Sequence, residues 1–193
     1  IATERLRSAG HRKKPGDGIA DGERGETPHR MESAMSFIAR TVSNADIPAI
    51  CSWPQNDSEL YYCFPKASYP LSSEQLADAI AQRTESTTIE LNGEAVAFAN
   101  FYRWDRGGVC CVGNVIVSPA ARGLGAAAFL MEHMCTVAFR SYEASQVQVS
   151  CFNHNTAGLL LYSNLGFRPF SIEERRDKQG ARVALVHLQR SAA

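Results

Sequence analysis

Two stretches of the chain carry residue types at spacings suited to chemistry. The first, Val117-Ser-Pro-Ala-Ala-Arg122-Gly123-Leu124-Gly125-Ala126-Ala127-Ala128-Phe129-Leu130, leads from an apolar, strand-like segment through a glycine-rich turn into an amphipathic helix. Small residues in such a turn let backbone N–H groups approach an anion, and a helix N-terminus adds roughly half a positive charge. The stretch is therefore a candidate phosphate cradle. It is not a Walker loop, because no Gly-Lys-Ser/Thr follows, and it is not G-x-G-x-x-G. Taken alone, it also fits a tight strand-to-helix turn that needs glycine only for its backbone. The second stretch is Asn155-Thr-Ala-Gly-Leu-Leu-Leu161-Tyr162-Ser-Asn-Leu165-Gly166-Phe167, with a polar helix start, a Leu-Tyr pair and a Gly-Phe exit.

Together these stretches resemble the GNAT superfamily of N-acetyltransferases. The family's acetyl-CoA motif, Arg/Gln-x-x-Gly-x-Gly/Ala after a strand and a Val-x-Pro, is matched by Arg122-Gly-Leu-Gly125-Ala-Ala127 after Val117-Ser-Pro119. The family's second element is matched at Asn155, Leu161, Tyr162, Gly166 and Phe167, with Gly158 where an Ala is usual. The resemblance implies a splayed sheet in which strands 109–117 and 146–152 part, with the pantetheine arm of acetyl-CoA between them. Backbone groups of Val115, Ile116 and Val117 would then pair with that arm as another strand would. Amides of Arg122, Gly123, Leu124, Gly125, Ala126 and Ala127 would hold the pyrophosphate, and Asn155 would hydrogen-bond the pantetheine. Tyr162 is implied as the general acid that protonates the departing thiolate. Its other reading is a core tyrosine packed beside Leu161 and Phe167.

The implied reaction is acetyl transfer from acetyl-CoA to a primary amine (a small molecule, an amino acid or a peptide) by direct attack. A non-catalytic CoA-binding sensor or assembly module is the alternative. An alkylammonium ion has a pKa near ~10.4 and must lose a proton before it attacks. Many relatives place a glutamate on the central strand or at the end of the next one for this purpose. Here those neighbourhoods read Cys110-Cys111-Val112-Gly113-Asn114 and Val149-Ser150-Cys151-Phe152, without a carboxylate. Asn114 and Ser150 could order a water chain but are not strong bases. Asp57, Glu59 and Asp105, or His154 beside the cofactor element, are further candidates that read more readily as solvated surface groups, and an acceptor that arrives already neutral needs no base. An acyl-cysteine route through Cys110 or Cys111 lacks a histidine placed near them by sequence. For the acceptor, the resemblance directs attention to Trp53, Tyr61, Tyr62, Phe64 and Tyr69, a dense aromatic run suited to an apolar group and a cationic amine. The same rings would also serve to cover a sheet edge.

These groups must be positioned by regular elements. Residues 37–42 read as a strand, Ser43 and Asn44 as caps for a short helix through Ile47 and Ile50, and 53–70 as an aromatic, proline-rich loop. Ser72-Ser73-Glu74-Gln75 reads as a capping box opening a helix, and strands 87–91 and 94–102 flank the hairpin dipeptide Asn92-Gly93. A central strand over 109–117, a helix over 126–140, a strand over 146–152, a helix over 155–165 ended by Gly166 and strands over 167–174 and 182–188 complete the order. This order predicts a mixed α/β domain over 36–190, and the GNAT resemblance implies for it a splayed, mostly antiparallel sheet flanked by helices.

The chain's 193 residues suit one such domain. Its 20 Lys+Arg balance 20 Asp+Glu, which supplies no broad field for nucleic acid or an anionic membrane, and neither is expected as a partner. No apolar run approaches the ~20 residues of a bilayer span, and with no signal-like N-terminus a cytoplasmic location is expected. The six cysteines are scattered without a C-x-x-C pair, so free thiols and no metal are expected. Residues 1–30 hold five Gly, seven basic and five acidic residues but few large apolar ones. Residues 1–35 therefore read as a flexible or non-native extension, with Met31 and Met35 as plausible starts. A homodimer through an exposed strand edge is left open.

Overall fold

The computed structural model describes residues 36–192. The expected N-terminal extension and the two candidate start methionines lie outside the described residues.

Seven strands form one sheet in the order β1-β2-β3-β4-β5-β7-β6. In chain order they are β1 (Phe37–Thr41), β2 (Thr84–Leu91), β3 (Glu94–Trp104), β4 (Val109–Val117), β5 (Gln146–Phe152), β6 (Arg168–Arg176) and β7 (Arg182–Ser191). All neighbours are antiparallel except β4 and β5, which run parallel and are joined through a helix, as a parallel crossover requires. The β2–β3 turn is the expected Asn92-Gly93, with φ of 53° and 86°. Two left-handed residues match the twist of the flanking strands. The edge strand β6 is exposed along most of its length and carries Glu173, Glu174, Arg175 and Arg176, charges that discourage pairing with another chain.

Helices cover both faces. On one face α4 (Ala126–Ser141) buries Leu130, Met131, Met134, Cys135 and Ala138 against Phe101, Cys110, Val112 and Val147, with Tyr162 and Phe167 in the same core. On the other, α1 (Ile47–Ser52), α2 (Asp57–Cys63) and α3 (Ser73–Ala81) enclose a second core of Ile50, Trp53, Leu60, Phe64, Leu71 and Leu76 against Phe98 and Ile116. Strand β3 is thus buried continuously from Val96 to Phe101, as a strand between two helical layers must be.

The segment expected as an aromatic loop contains α2. Asn56 starts it, its side chain accepting the Glu59 N–H at 2.9 Å, which is the ordinary role of asparagine before a first turn. Ser72 caps α3 by accepting the Gln75 N–H at 3.2 Å, but the Gln75 side chain accepts from Ser68 N–H instead of reaching back to the cap. Only half of the expected box forms there.

Asp46 holds the exit of β1. Its carboxylate accepts two bonds from Arg40, at 2.7 and 2.9 Å, and one from the Ser43 N–H at 2.7 Å, while Arg40 Nε also reaches Glu90. The Arg40 guanidinium, more than burial opposes it, lowers the Asp46 carboxyl to about 2. The stabilisation is therefore complete above the unfolded carboxyl value of ~3.9 and lost as pH falls through the folded one. Asp46→Asn should cost about 1–2 kcal/mol at neutral pH in urea unfolding. The gap from wild type should close as pH falls toward that folded value; a gap independent of pH would show that the ion pair is not its source.

Candidate active site

The site begins where β4 and β5 stop pairing. Partners run Val109↔Gln146, Cys110↔Val147 and Cys111↔Gln148, and then end. Beyond that point β4 stays paired to β3, but with one residue too many: Asn100 opposes Gly113 while Phe98 opposes Ile116. Two steps on β3 match three on β4, which is a bulge, and Asn114 within it has φ of 52°. Asparagine tolerates this left-handed geometry better than a branched or bulky residue. The Asn114 side chain fastens the bulge to the helical layer, its Nδ2 donating to the Cys63 carbonyl at 3.2 Å and its Oδ1 accepting from Arg83 Nη1.

A cleft of about 680 Å³ opens along the separated strands, lined by Val115, Ile116, Val117, Arg122, Gly123, Gly125, Ala126, Ala127, Asn155, Leu161 and Tyr162 among others. At one end the chain leaves β4 through a 3₁₀ turn at Pro119–Ala121 and enters α4 behind Gly125, whose φ is 91°. Among the described residues the N–H groups of Gly123, Gly125, Ala126, Ala127 and Ala128 have no backbone acceptor. They converge at the positive end of a helix of 16 residues, which is the physical requirement for a pyrophosphate seat. The residues present therefore fit the anionic end of CoA. Leu124 is exposed and does not line the cleft.

Arg122 lines the cleft, but its guanidinium is paired within the protein. It bonds both oxygens of Glu59, at 3.2 and 2.8 Å, and lowers that carboxyl's pKa below the ordinary range. Arg122 thus ties the cradle to α2, and its backbone shapes the turn.

Asn155 starts α5 (Thr156–Asn164), with Oδ1 accepting the Gly158 N–H at 3.0 Å, so Nδ2 is the amide group left to donate into the cleft. The departure from the family pattern at Gly158 has a steric reason. A Cβ there would stand 2.7 Å from Asn155 Nδ2 and 2.9 Å from Cys151 Sγ. The thiol on β5 fills the space that an alanine methyl would need.

Tyr162 is buried, with 6% exposure, lines the cleft and packs edge-on against Phe167. No hydrogen bond contributes to the environment of its hydroxyl, which burial and two neighbouring thiols define. Burial is the main reason its pKa rises far above the ordinary phenol value, and nearby Cys151 and Cys63 add to the shift. The phenol is held neutral, as a proton donor must be.

The cysteines do not offer a nucleophile. Cys110 and Cys111 lie on the paired part of β4, away from the opening, and burial pushes Cys110 up to about 11 and Cys111 upward. Cys63 and Cys151 are pushed up to about 12 by burial. Thiols held protonated are poor nucleophiles.

The sequence matches the acetyltransferase (GNAT) family model over residues 47–167, which is more than half of its length. The chain belongs to the GNAT acetyltransferase family. Similar solved structures include a GCN5-related N-acetyltransferase from Kribbella flavida, 23% identical, with 81% of this chain and 98% of that one covered at a TM-score of 0.65. Another is yncA, a proposed acetyltransferase from Salmonella typhimurium solved with its cofactor acetyl-CoA, 21% identical over 80% of this chain and 93% of that one, TM-score 0.65. A third is the ribosomal-protein-S18-alanine N-acetyltransferase of Escherichia coli, 20% identical over 82% and 96%, TM-score 0.63. At these identities the likeness is one of fold.

In this GNAT chain the five aromatic residues expected around the acceptor separate. Trp53 and Phe64 are buried in the helical core, although Trp53 also borders the cleft. Tyr69 lies outside and donates to the Gln55 carbonyl at 3.1 Å. Tyr61 stacks on Phe152 with ring centroids 4.5 Å apart, and Tyr62 stands beside the same ring. Both border a smaller cavity closed by the β6–β7 turn, where Lys178 Nζ meets Asp57 at 2.6 Å, and Tyr62 also lines the main cleft. The remaining carboxylate candidate, Asp105, pairs with Arg103 at 2.5 Å. The sequence reading took Asn114 only as a group that could order water, not as the shaper of the bulge, and missed Arg83. An asparagine after glycine in an apolar strand was the available signal.

Asn114→Ala loses both side-chain bonds and adds left-handed strain, so it should cost about 2–4 kcal/mol in urea unfolding. Asn114→Gly relieves the strain alone and should retain about 1 kcal/mol more than the alanine variant. Equal losses in the two would show that the left-handed geometry carries no strain.

Proposed function

We propose that this protein transfers an acetyl group from acetyl-CoA to a primary amine by direct attack, with Tyr162 as the general acid. The observation that carries this reading is the pairing of an open strand edge with a buried phenol. Where β4 and β5 part, the β4 backbone from Val115 to Val117 is left without a β5 partner, and buried Tyr162 lines the same cleft with its phenol held neutral.

Acetyl-CoA supplies a thioester whose carbonyl an amine can attack. Amides of Gly123, Gly125, Ala126, Ala127 and Ala128 would hold its pyrophosphate, and the free edge of Val115–Val117 with Asn155 Nδ2 would hold its amide-bearing arm. The Tyr162 proton is the one a departing thiolate needs. Burial keeps it on the phenol until sulfur develops charge.

Tyr61, Tyr62 and Phe152 form an aromatic border between the cleft and the β6–β7 turn, suited to a cationic amine carrying an apolar group. The acceptor is read as a small amine, an amino acid or a peptide terminus. Glu59 borders the cleft, but its bidentate pairing with Arg122 leaves it a poor base.

CoA release from acetyl-CoA against amines, amino acids and peptides tests the reading, with thermal unfolding in CoA alongside. Turnover on one acceptor class is expected. A CoA-dependent rise in Tm without turnover would favour the binding-module alternative. Tyr162→Phe should lower kcat by about 10²-fold with CoA affinity within about twofold of wild type. Unchanged kcat under saturation would remove Tyr162 as the acid.

A further inference from the structure

Three strands carry a hydrogen-bonded line of side chains that the reaction above leaves unused. Ser150 lies on β5, beyond Gln148, the last residue paired to β4. Its Oγ stands 2.8 Å from His187 Nδ1 on β7, the residue directly opposite it, and His187 Nε2 stands 3.3 Å from Glu173 Oε2 on β6. A carboxylate only accepts, so in the neutral imidazole Nε2 is the donor to Glu173, and Nδ1 is then the lone-pair nitrogen that accepts from the Ser150 hydroxyl.

The surroundings suit a path for protons. Ser150 and His187 are half-buried, and the side chain of Glu173 is 44% exposed and also bonded to Arg175 at 2.9 Å. The Tyr102 phenol lies beside Ser150 and Cys111, and its ring lies against Gly113 of β4, where a Cβ would stand 2.8 Å from it. Arg83 meets the same position with its guanidinium over the Tyr102 ring, its Nη1 bonded to Asn100 and Asn114. Phe170 flanks the imidazole with centroids 6.1 Å apart. Ser150 therefore stands on the β5 margin of the opening, and the Tyr102 side chain, which lies beside Ser150 and against the backbone of Gly113, connects it to the bulged stretch of β4.

Resting on the transferase reading, we infer that Ser150, His187 and Glu173 form the relay that removes the proton from the acceptor ammonium. The ammonium gives one proton to Ser150 Oγ as the Ser150 hydroxyl proton passes to His187 Nδ1, and Glu173 holds the imidazole in the accepting tautomer. The half-exposed end of the relay returns that proton to solvent. Nitrogen then forms the N–C bond as the C–S bond breaks. The second proton shed by nitrogen balances the one Tyr162 gives to sulfur, so amide, CoA thiol and one released proton result. This supplies the base that neither strand provides as a carboxylate. Ser150 touches the acceptor; His187 and Glu173 act through it.

The test compares acceptor basicity. Ser150→Ala and His187→Gln are assayed with benzylamine, protonated at neutral pH, and O-benzylhydroxylamine, which has nearly the same shape and is neutral there. With the alkylamine, both variants should lose about 10²-fold in kcat, with KM for acetyl-CoA within about twofold of wild type. With the neutral amine the loss should shrink to less than about fivefold, since no proton needs removal before attack. An equal loss on both acceptors, or none on the alkylamine, overturns the relay. Ser150→Ala removes a single oxygen, and a preserved CoA-dependent rise in Tm confirms that the fold and cradle survive. A wild-type chain that binds CoA but acetylates no amine overturns the transferase reading, and the relay falls with it.

Discussion

The site depends on one backbone irregularity, the extra residue that β4 carries at Asn114. A regular β4 would continue beside β5 and close the gap by ordinary ladder bonds. The bulge bends the strand while β3 stays paired along its other side, so separation occurs on the β5 side only. The left-handed turn of Asn114 is held by two side-chain bonds, to the end of α2 through the Cys63 carbonyl and to Arg83 just after α3. Arg83 is itself clamped, with its guanidinium between the rings of Phe64 and Tyr102 at 5.8 and 5.7 Å. Burial lowers its pKa, and no carboxylate pairs with it among the described residues. The second hydrophobic core thus acts on the site mechanically, anchoring the residues that keep β4 bent.

The other face sets the chemistry at the gap. The α4 core fixes the helix whose first turn offers unengaged amides, and α5, started by Asn155, carries Tyr162 into the same cleft. Gly158 and Cys151 are coupled there: the close approach of α5 to β5 leaves no room for a methyl, and the thiol occupies the volume. Because Tyr162 sits in this apolar packing, its neutral form is favoured by the same burial that stabilises the helix. Packing and proton chemistry here share one cause.

Much of this was legible in the residues. The glycine-rich turn into α4, the Asn92-Gly93 hairpin and the Gly166 exit are local signals, each set by what a few neighbouring residues can adopt, and the order of strands and helices follows the apolar periodicity. The parting of β4 and β5 came from the family resemblance, and the register shows where it begins. What escaped is non-local. α2 is a short helix whose apolar face is visible only against the core that receives Leu60, and proline and aromatic residues around it read as loop. Arg122 looked free until α2 brought Glu59 to it from far along the chain. The aromatic run read as one pocket divides because consecutive residues of a helix point in different directions, sending Phe64 inward and Tyr61 toward Phe152. The line from Ser150 to Glu173 joins three strands and has no linear signature.

The central claim is that the edge exposed by the β4 bulge and the amides at the start of α4 together seat acetyl-CoA. Amide hydrogen exchange with and without CoA measures this directly. The account predicts slower exchange over Val115–Val117 and Gly123–Ala128 on adding CoA, with β1 and β6 unchanged. CoA binding that leaves both segments exchanging as before would place the cofactor elsewhere and contradict it.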